Sequence, residues 1–95
     1  MNNQTAPDPS AASERRRKRL HFRSWHRGTR ELDLLLGPFA DRHLAGLTDN
    51  ELAEYEALLT MPDLDVYDWI LGQAKPPPAV AGGVLRLIKQ FHKTD

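Results

Sequence analysis

Cysteine is absent from the 95-residue chain, and its absence removes several classes of site at once. Without cysteine there is no disulfide, no thiolate nucleophile and no cysteine-based zinc site. Long apolar runs are missing too, since no stretch approaches the roughly 18 apolar residues of a membrane-spanning helix. The first dozen residues also lack the apolar segment of a secretory signal. We therefore expect a protein that does not insert into a membrane.

Signals of catalysis and of metal binding are equally scarce. None of the histidines is spaced His-x-x-x-His, and no cysteine is present to complete a zinc site. Gly82 and Gly83 are not followed by the Lys-Ser/Thr of a phosphate-binding loop. We expect no catalytic residue, no metal and no cofactor, and hence a protein that is not an enzyme. The histidines are His21, His26, His43 and His92.

The length of the chain allows one small domain. Residues 1–12 are rich in Asn, Gln, Pro, Ser and Ala, a composition that predicts a disordered tail, and residues 13–95 then form a single helical domain with a modest core. The first 13 residues contain no arginine and include Asp8, unlike an Arg-rich mitochondrial transit peptide. We expect a bacterial cytoplasmic protein that is a monomer when free.

The formal charges sum to zero but are strongly segregated along the chain. Residues 1–30 hold eight Lys/Arg against two acids, residues 31–73 hold one arginine against ten acids, and residues 74–95 hold four Lys/Arg against one acid. The run Arg15–Arg19 suggests phosphate binding, so a nucleic-acid-binding or regulatory helical module is the alternative function. The acidic middle of the chain and the lack of interleaved aromatics argue against it. A solvated face, or contact with the acidic helices, explains the run as well.

Helical periodicity recurs throughout, and no segment alternates as a strand does. Ser13 is a plausible N-cap of a first helix that ends near Trp25. Gly28 suits the positive φ of a helix end, and Thr29 suits the cap of a second helix. A kink or a break is expected at Gly37-Pro38, because an interior proline costs about 3 kcal/mol.

The second half of the chain predicts three more helices. Thr48–Glu51 has the pattern of a capping box. Asp65 is the expected cap of a fourth helix, with Leu64 and Trp69 packed around its start, and Pro78 or Ala79 opens the fifth. The fold class is therefore all-α, a small five-helix bundle.

One pentapeptide stands out, Arg27-Gly28-Thr29-Arg30-Glu31, directly before the apolar run Leu32–Leu36. Spacing alone leaves two interpretations. Arg27 and Glu31 either form an i, i+4 ion pair that brackets a turn, or the charged turn docks onto another protein, where the arginine offers a rigid fork of donors. In the second case Glu31 pairs with Arg27 in the free protein and with the partner in the complex.

The residues around this pentapeptide widen the pattern. His26 through Leu36, followed by Phe39-Ala40, resembles the signature of the succinate dehydrogenase assembly factor family, also called FAD assembly factors. The resemblance continues through residues 14–93. Its downstream landmarks are Glu51, Tyr55, Leu58-Leu59, Pro62-Asp63-Leu64, Trp69-Ile70-Leu71-Gly72 and Leu85-Arg86-Leu87-Ile88.

The resemblance implies a five-helix protein that binds the flavoprotein subunit of succinate dehydrogenase or fumarate reductase. It also implies that the protein promotes covalent attachment of FAD to a histidine of that subunit. His26 stands where many relatives have an arginine, which removes one fixed charge and predicts docking that is either weaker or dependent on pH near neutrality. The family's contact motif corresponds to Arg27, Gly28 and Glu31, and we expect the full contact surface to comprise Arg23, His26, Arg27, Gly28, Arg30, Glu31 and Asp33.

Overall fold

The computed structural model describes residues 9–93, with side chains from residue 11 onward. These residues form five α-helices and two single 3₁₀ turns and contain no strand, so the all-α prediction is confirmed for this part of the chain. None of these helices is both long enough and apolar enough to cross a bilayer. The helices are α1 (Pro9–Trp25), α2 (Arg30–His43), α3 (Asp49–Leu59), α4 (Asp63–Ile70) and α5 (Gly83–Lys93); the 3₁₀ turns are Leu44–Gly46 and Pro78–Val80.

Two helices begin as the local sequence predicts. The Thr29 hydroxyl accepts a hydrogen bond from the Leu32 amide at 3.3 Å and so caps α2. At α3 the capping box is complete, because Thr48 accepts from the Glu51 amide at 3.2 Å while Glu51 accepts from the Thr48 amide at 2.8 Å. Both caps depend only on residues three positions apart, which is why the sequence predicts them correctly.

Helix α1 begins earlier than predicted. It starts at Pro9 rather than after Ser13, which lies inside the helix and accepts a hydrogen bond from the Arg17 guanidinium. Proline is well suited to a first helical position, where its missing N–H has no intrahelical partner to lose. Most of the predicted tail lies outside the described residues, as do residues 94 and 95, so the predicted division of the chain stays a prediction.

The predicted start of α4 is wrong. Pro62 occupies the cap position and the helix begins at Asp63, so Asp65 lies in its first turn instead of capping it. Because the helix begins at Asp63, Leu64 lies in its first turn and not before its cap, and it is 71% exposed while Trp69 is buried. The physical reason lies far away in sequence, because Asp63 is bound by an arginine of the α1–α2 turn.

The predicted start of α5 is also wrong. Pro78–Val80 forms a separate 3₁₀ turn, and the helix begins at Gly83. The Glu54 carboxylate from α3 accepts the Val84 amide at 3.0 Å, and so supplies the cap from a distant helix. A Cβ on Gly82 would lie 2.7 Å from the same carboxylate oxygen. The Gly-Gly pair therefore makes room for the capping carboxylate.

Helix α2 runs through Pro38 without the predicted break. The adjacent Gly37 has a separate role, because a Cβ there would lie 2.3 Å from the Trp25 ring. The indole of Trp25 thus lies directly against the backbone of α2 and joins the end of α1 to it.

All five helices contribute to one core. Tyr55 is fully buried, and its hydroxyl lies 2.5 Å from the Ser24 hydroxyl. Because Ser24 donates to the Leu20 carbonyl at 2.7 Å, Tyr55 is the donor in the pair. This polar link joins α1 to α3 inside the core. The other side chains that are almost completely buried are Leu20, Leu32, Leu36, Phe39, Leu52, Leu58, Val66, Val84 and Ile88.

Candidate functional site

The Arg27 guanidinium holds together three parts of the fold. Its Nη2 lies 2.7 Å from Asp63 Oδ1, and its Nε donates to the same oxygen at 3.0 Å. Its Nη1 donates to the Leu59 carbonyl at 2.7 Å, and Nη2 also reaches the Met61 carbonyl at 3.3 Å. The side chain is only 12% exposed. Arg27 therefore ties the turn after α1 to the end of α3 and the start of α4.

These contacts correct the predicted ion pair within the pentapeptide. Arg27 pairs with Asp63, not with Glu31. Glu31 lies at an exposed position in the first turn of α2 and has no hydrogen bond or ion pair to any residue in the range 9–93. Its carboxylate is thus free to meet a partner, whereas the arginine is already occupied by the protein's own backbone and by Asp63.

Gly28 is required by a close approach. A Cβ at this position would lie 2.9 Å from Asp63 Oδ2. Gly28 has the predicted positive φ, at 158°, but helix α1 already ends at Trp25, so Gly28 lies in the turn and not directly at the helix end. Any side chain at Gly28 would press on the carboxylate that holds Arg27.

Two more of the predicted contact residues support the turn from within. Asp33 accepts the Arg27 amide at 2.7 Å and so fixes the turn to the start of α2. Arg23 donates weakly, at 3.4 Å, to the Leu59 carbonyl that Arg27 also binds. Both side chains are half-buried. Arg23, Arg27 and Asp33 therefore build the turn and present little of themselves outward.

The remaining predicted residues face outward. His26 is exposed and stacks on Phe22, with ring centroids 3.9 Å apart and planes 15° from parallel. Its Nδ1 donates to the Phe22 carbonyl at 2.7 Å. Arg30 and Glu31 are exposed at the start of α2, and Leu34, one turn later, is 53% exposed.

An open groove lies between the turn and α4. It measures about 320 Å³. The unpaired carboxylate of Glu31 and the side chain of Leu64, which is the most exposed large apolar residue between 11 and 93, both line it. None of the residues of the predicted contact surface lies in α4, and an acid directly after Pro62 is a signal only for a helix start. The groove is lined by Thr29, Glu31, Asp63, Leu64 and Tyr67.

The basic run of α1 is divided between the inside and the outside of the fold. Arg16 pairs with Glu56 of α3 at 2.6 Å, and this hydrogen bond lowers the pKa of the Glu56 carboxyl. Arg17 donates to the carbonyls of Leu44 and Leu47, at 3.2 and 2.5 Å, after the end of α2. Two of the five cations therefore hold helices together, and Arg16 makes the contact with an acidic helix that was one of the expectations for this run.

Comparison with known proteins supports the resemblance found in the pentapeptide and its flanks. The sequence profile of the family described as flavinator of succinate dehydrogenase matches residues 18–92. The chain belongs to this family. The match runs from the middle of α1 to the end of α5 and so includes the Arg27 contacts and the groove.

Individual members of the flavinator family agree with this assignment. A Dictyostelium discoideum protein named succinate dehydrogenase assembly factor 2, mitochondrial, is 42% identical over 82 residues, which are 86% of this chain and 58% of that protein. An Acetobacter pasteurianus protein named FAD assembly factor SdhE is 38% identical, over 90% of this chain and 88% of its own length. A Debaryomyces hansenii assembly factor 2 is 50% identical over 57% of this chain and 38% of its own. The chain thus spans little more than half of the first relative.

Proposed function

We propose that this protein is an assembly factor that binds the flavoprotein subunit of succinate dehydrogenase or fumarate reductase and promotes covalent attachment of FAD to it. The observation that carries the proposal is the family match over residues 18–92. The relatives' names refer to succinate dehydrogenase assembly and to FAD assembly, which supports this choice of client.

In this proposal the turn acts as a docking element and not as a reaction centre. The free Glu31 carboxylate, the Arg30 guanidinium and the exposed side chains of Leu34 and Leu64 supply the contact surface. Arg27 contributes by holding the turn against α4. A polar group beside apolar ones is the usual composition of a protein interface.

The mechanism that we propose is one of positioning. Docking holds the domains of the flavoprotein in an arrangement that favours its own attachment reaction with FAD. The factor supplies binding energy and no catalytic group, and it needs no cofactor or metal of its own. A cytoplasmic location and a monomeric free state stay predictions; the relatives include bacterial and mitochondrial proteins.

The test uses the purified flavoprotein subunit without bound flavin, mixed with FAD and with this protein. Complex formation is measured by pull-down, and covalent flavin by in-gel fluorescence after denaturation. Glu31→Ala and Gly28→Leu should abolish flavinylation while circular dichroism stays helical. Glu14→Ala, which removes an exposed acid of α1, is the matched control and should behave as wild type.

Two results would contradict the proposal. Full flavinylation with both Glu31→Ala and Gly28→Leu would exclude the turn as the docking element. Failure of the wild-type protein to retain the flavoprotein, together with tight binding to RNA at physiological salt, would favour the nucleic-acid alternative.

A further inference from the structure

Helix α1 carries an outward-facing row of side chains that, apart from His26 at its end, lie outside the predicted contact surface of the turn. We call it the α1 stripe: Arg15, Lys18, Arg19, Phe22 and His26, all of them exposed. Counted from Arg15, the members stand at positions i, i+3, i+4, i+7 and i+11, so they lie along one face of the helix, with His26 directly after its last residue. The 11 steps from Arg15 to His26 span about 16 Å at 1.5 Å per residue.

The cations of the α1 stripe differ from their neighbours. Arg16 and Arg17 are held by α3 and by the end of α2, whereas Arg15, Lys18 and Arg19 have no hydrogen bond or ion pair to any other residue between 9 and 93. None of the three is held by a direct contact as Arg16 and Arg17 are, although the charge of Arg19 acts on Glu56 of α3 and helps to lower the pKa of that carboxyl. They remain available to a partner.

The aromatic ring of Phe22 follows these three cations along the stripe. Phe22 is 61% exposed, and one face is covered only by the His26 ring. Aromatic and arginine side chains are both enriched in protein interfaces, so an exposed ring beside two arginines has the composition of a contact surface. His26 begins the turn that leads to Gly28, so the stripe is continuous with the proposed docking surface.

We propose that the α1 stripe is a second contact surface and that it binds an acidic polypeptide segment of the flavoprotein client. The inference rests on the proposed function. The stripe from Arg15 to His26 is about 16 Å long, which matches an extended segment of about five residues at 3.3 Å per residue, and its three cations lie in the first third of that length. Carboxylates of that segment meet the cations, and an apolar side chain covers Phe22.

Charge and composition favour a polypeptide over a nucleic acid. Three cations neutralise only about three phosphates, which gives weak non-specific binding. Phe22 is a single ring, whereas single-stranded nucleic acids use successive aromatic rings for stacking.

The experiment compares two triple charge reversals. Arg15→Glu, Lys18→Glu and Arg19→Glu together reverse the stripe. Arg86→Glu, Lys89→Glu and Lys93→Glu reverse three exposed cations of α5 with the same change in net charge. The Kd for the purified flavoprotein subunit is measured at low and at physiological salt.

We expect the stripe reversal to weaken binding on the order of tenfold at low salt and to remove most of the salt dependence, since exposed charges act through screened interactions. The α5 reversal should stay within about twofold of wild type. Phe22→Ala should weaken binding several-fold at both salt concentrations, because its contribution is apolar. Circular dichroism and urea unfolding verify that each variant is folded.

The outcomes separate this inference from the proposed function. If Glu31→Ala abolishes the complex while the stripe reversal keeps both the wild-type Kd and its salt dependence, the stripe is not a contact surface and the proposed function stands. If wild type binds RNA or anionic vesicles more tightly than the flavoprotein, and the stripe reversal removes that binding, the acidic-polypeptide assignment is wrong. Absence of any wild-type complex with the flavoprotein overturns both proposals.

Discussion

Arg27 and Asp63 are 36 residues apart in sequence and form an ion pair with Nη2 and Oδ1 separated by 2.7 Å. The other oxygen of this carboxylate faces Gly28, at the position where a Cβ would lie 2.9 Å away. The Asp63 carboxylate of α4 thus gives both Arg27 and Gly28 a structural role, because it binds the guanidinium and leaves no room for a side chain at position 28. The arginine and the glycine serve the fold first, and the glutamate remains for a partner.

Removing this carboxylate should destabilise the protein. Asp63→Ala leaves the guanidinium, 12% exposed, without its counter-charge, and we expect unfolding to become easier by roughly 2–3 kcal/mol, below the value for a fully buried pair. Asp65→Ala, two residues along the same helix and exposed, is the control and should change stability by less than about 0.5 kcal/mol. Urea unfolding measures both. An Asp63→Ala protein as stable as Asp65→Ala would show that the pair contributes nothing.

Arg27 and Glu31 should fall into different classes of variant. Arg27→Ala removes the contacts to Asp63 and to the Leu59 carbonyl, so it should lower both the free energy of unfolding and the affinity for the flavoprotein. Glu31→Ala removes an exposed, unpaired carboxylate and should lower the affinity while stability stays within about 0.5 kcal/mol of wild type. Paired measurements of urea unfolding and flavoprotein binding test this separation. Equal loss of stability in the two variants would contradict it.

The features that the sequence predicts correctly are those formed by near neighbours. The caps at Thr29 and Thr48 involve residues three positions apart, and the pentapeptide with its flanks leads to the correct family. Two of the helix starts that were predicted wrongly, those of α4 and α5, depend on distant side chains. Glu54 caps α5 from α3, and Arg27 binds Asp63 at the start of α4. Local periodicity carries no information about such contacts.

The candidate site could likewise be predicted only in part. The sequence identifies the pentapeptide, but it does not identify the residues that surround the pentapeptide in the fold. Leu64 and Tyr67 line the groove because the Arg27–Asp63 ion pair brings α4 against the turn. The local sequence pattern instead predicts that Leu64 packs on Trp69. Within the run Arg15–Arg19, sequence alone cannot divide the internal cations from the free ones, since the division depends on where Glu56 and the end of α2 lie.

Gly37 should not tolerate a methyl group. In Gly37→Ala the added Cβ would lie 2.3 Å from the Trp25 ring, so the indole must move, at an expected cost of roughly 1–3 kcal/mol for overpacking. Gly46→Ala has no atom within 4 Å of its new Cβ and serves as the control. It should be neutral or slightly stabilising, by up to about 1 kcal/mol. Urea unfolding with tryptophan fluorescence measures both, and equal stabilities would show that the ring adapts freely.

The Arg16–Glu56 pair should make the protein sensitive to acid. The hydrogen bond from Arg16 lowers the pKa of the folded Glu56 carboxyl below its ordinary value of 4.5. A carboxyl whose pKa is lower in the folded than in the unfolded protein stabilises the folded state at every pH above its pKa in the unfolded state. This stabilisation is lost as the pH falls through its pKa in the folded state. Because the pair is about one-third exposed, we expect less than about 1 kcal/mol.

Glu56→Gln isolates this effect. Its free energy of unfolding should fall less steeply than that of wild type between neutral pH and about pH 3. Glu14→Gln, a change at an exposed acid of α1, should keep the wild-type slope. Parallel curves for Glu56→Gln and wild type would remove Glu56 from the explanation of acid sensitivity.

At high pH the buried Tyr55 should dominate the loss of stability. Burial raises the pKa of its hydroxyl from 10.0 to about 12, and the hydrogen bond to Ser24 only partly opposes this. The folded state therefore resists losing a proton that the unfolded state gives up near pH 10. The resulting stability is present below pH 10 and is lost as the pH rises toward 12, by at most about 1.4 kcal/mol per pH unit.

Urea unfolding at several pH values gives the slope. Tyr55→Phe should be less stable at neutral pH but should lose less between pH 10 and 12, whereas Tyr67→Phe, at the half-buried tyrosine of the groove, should follow the wild-type curve. If the difference between wild type and Tyr55→Phe is the same at every pH, the phenol does not titrate with a raised pKa and its burial in the folded protein is less complete than the packing around Ser24 indicates.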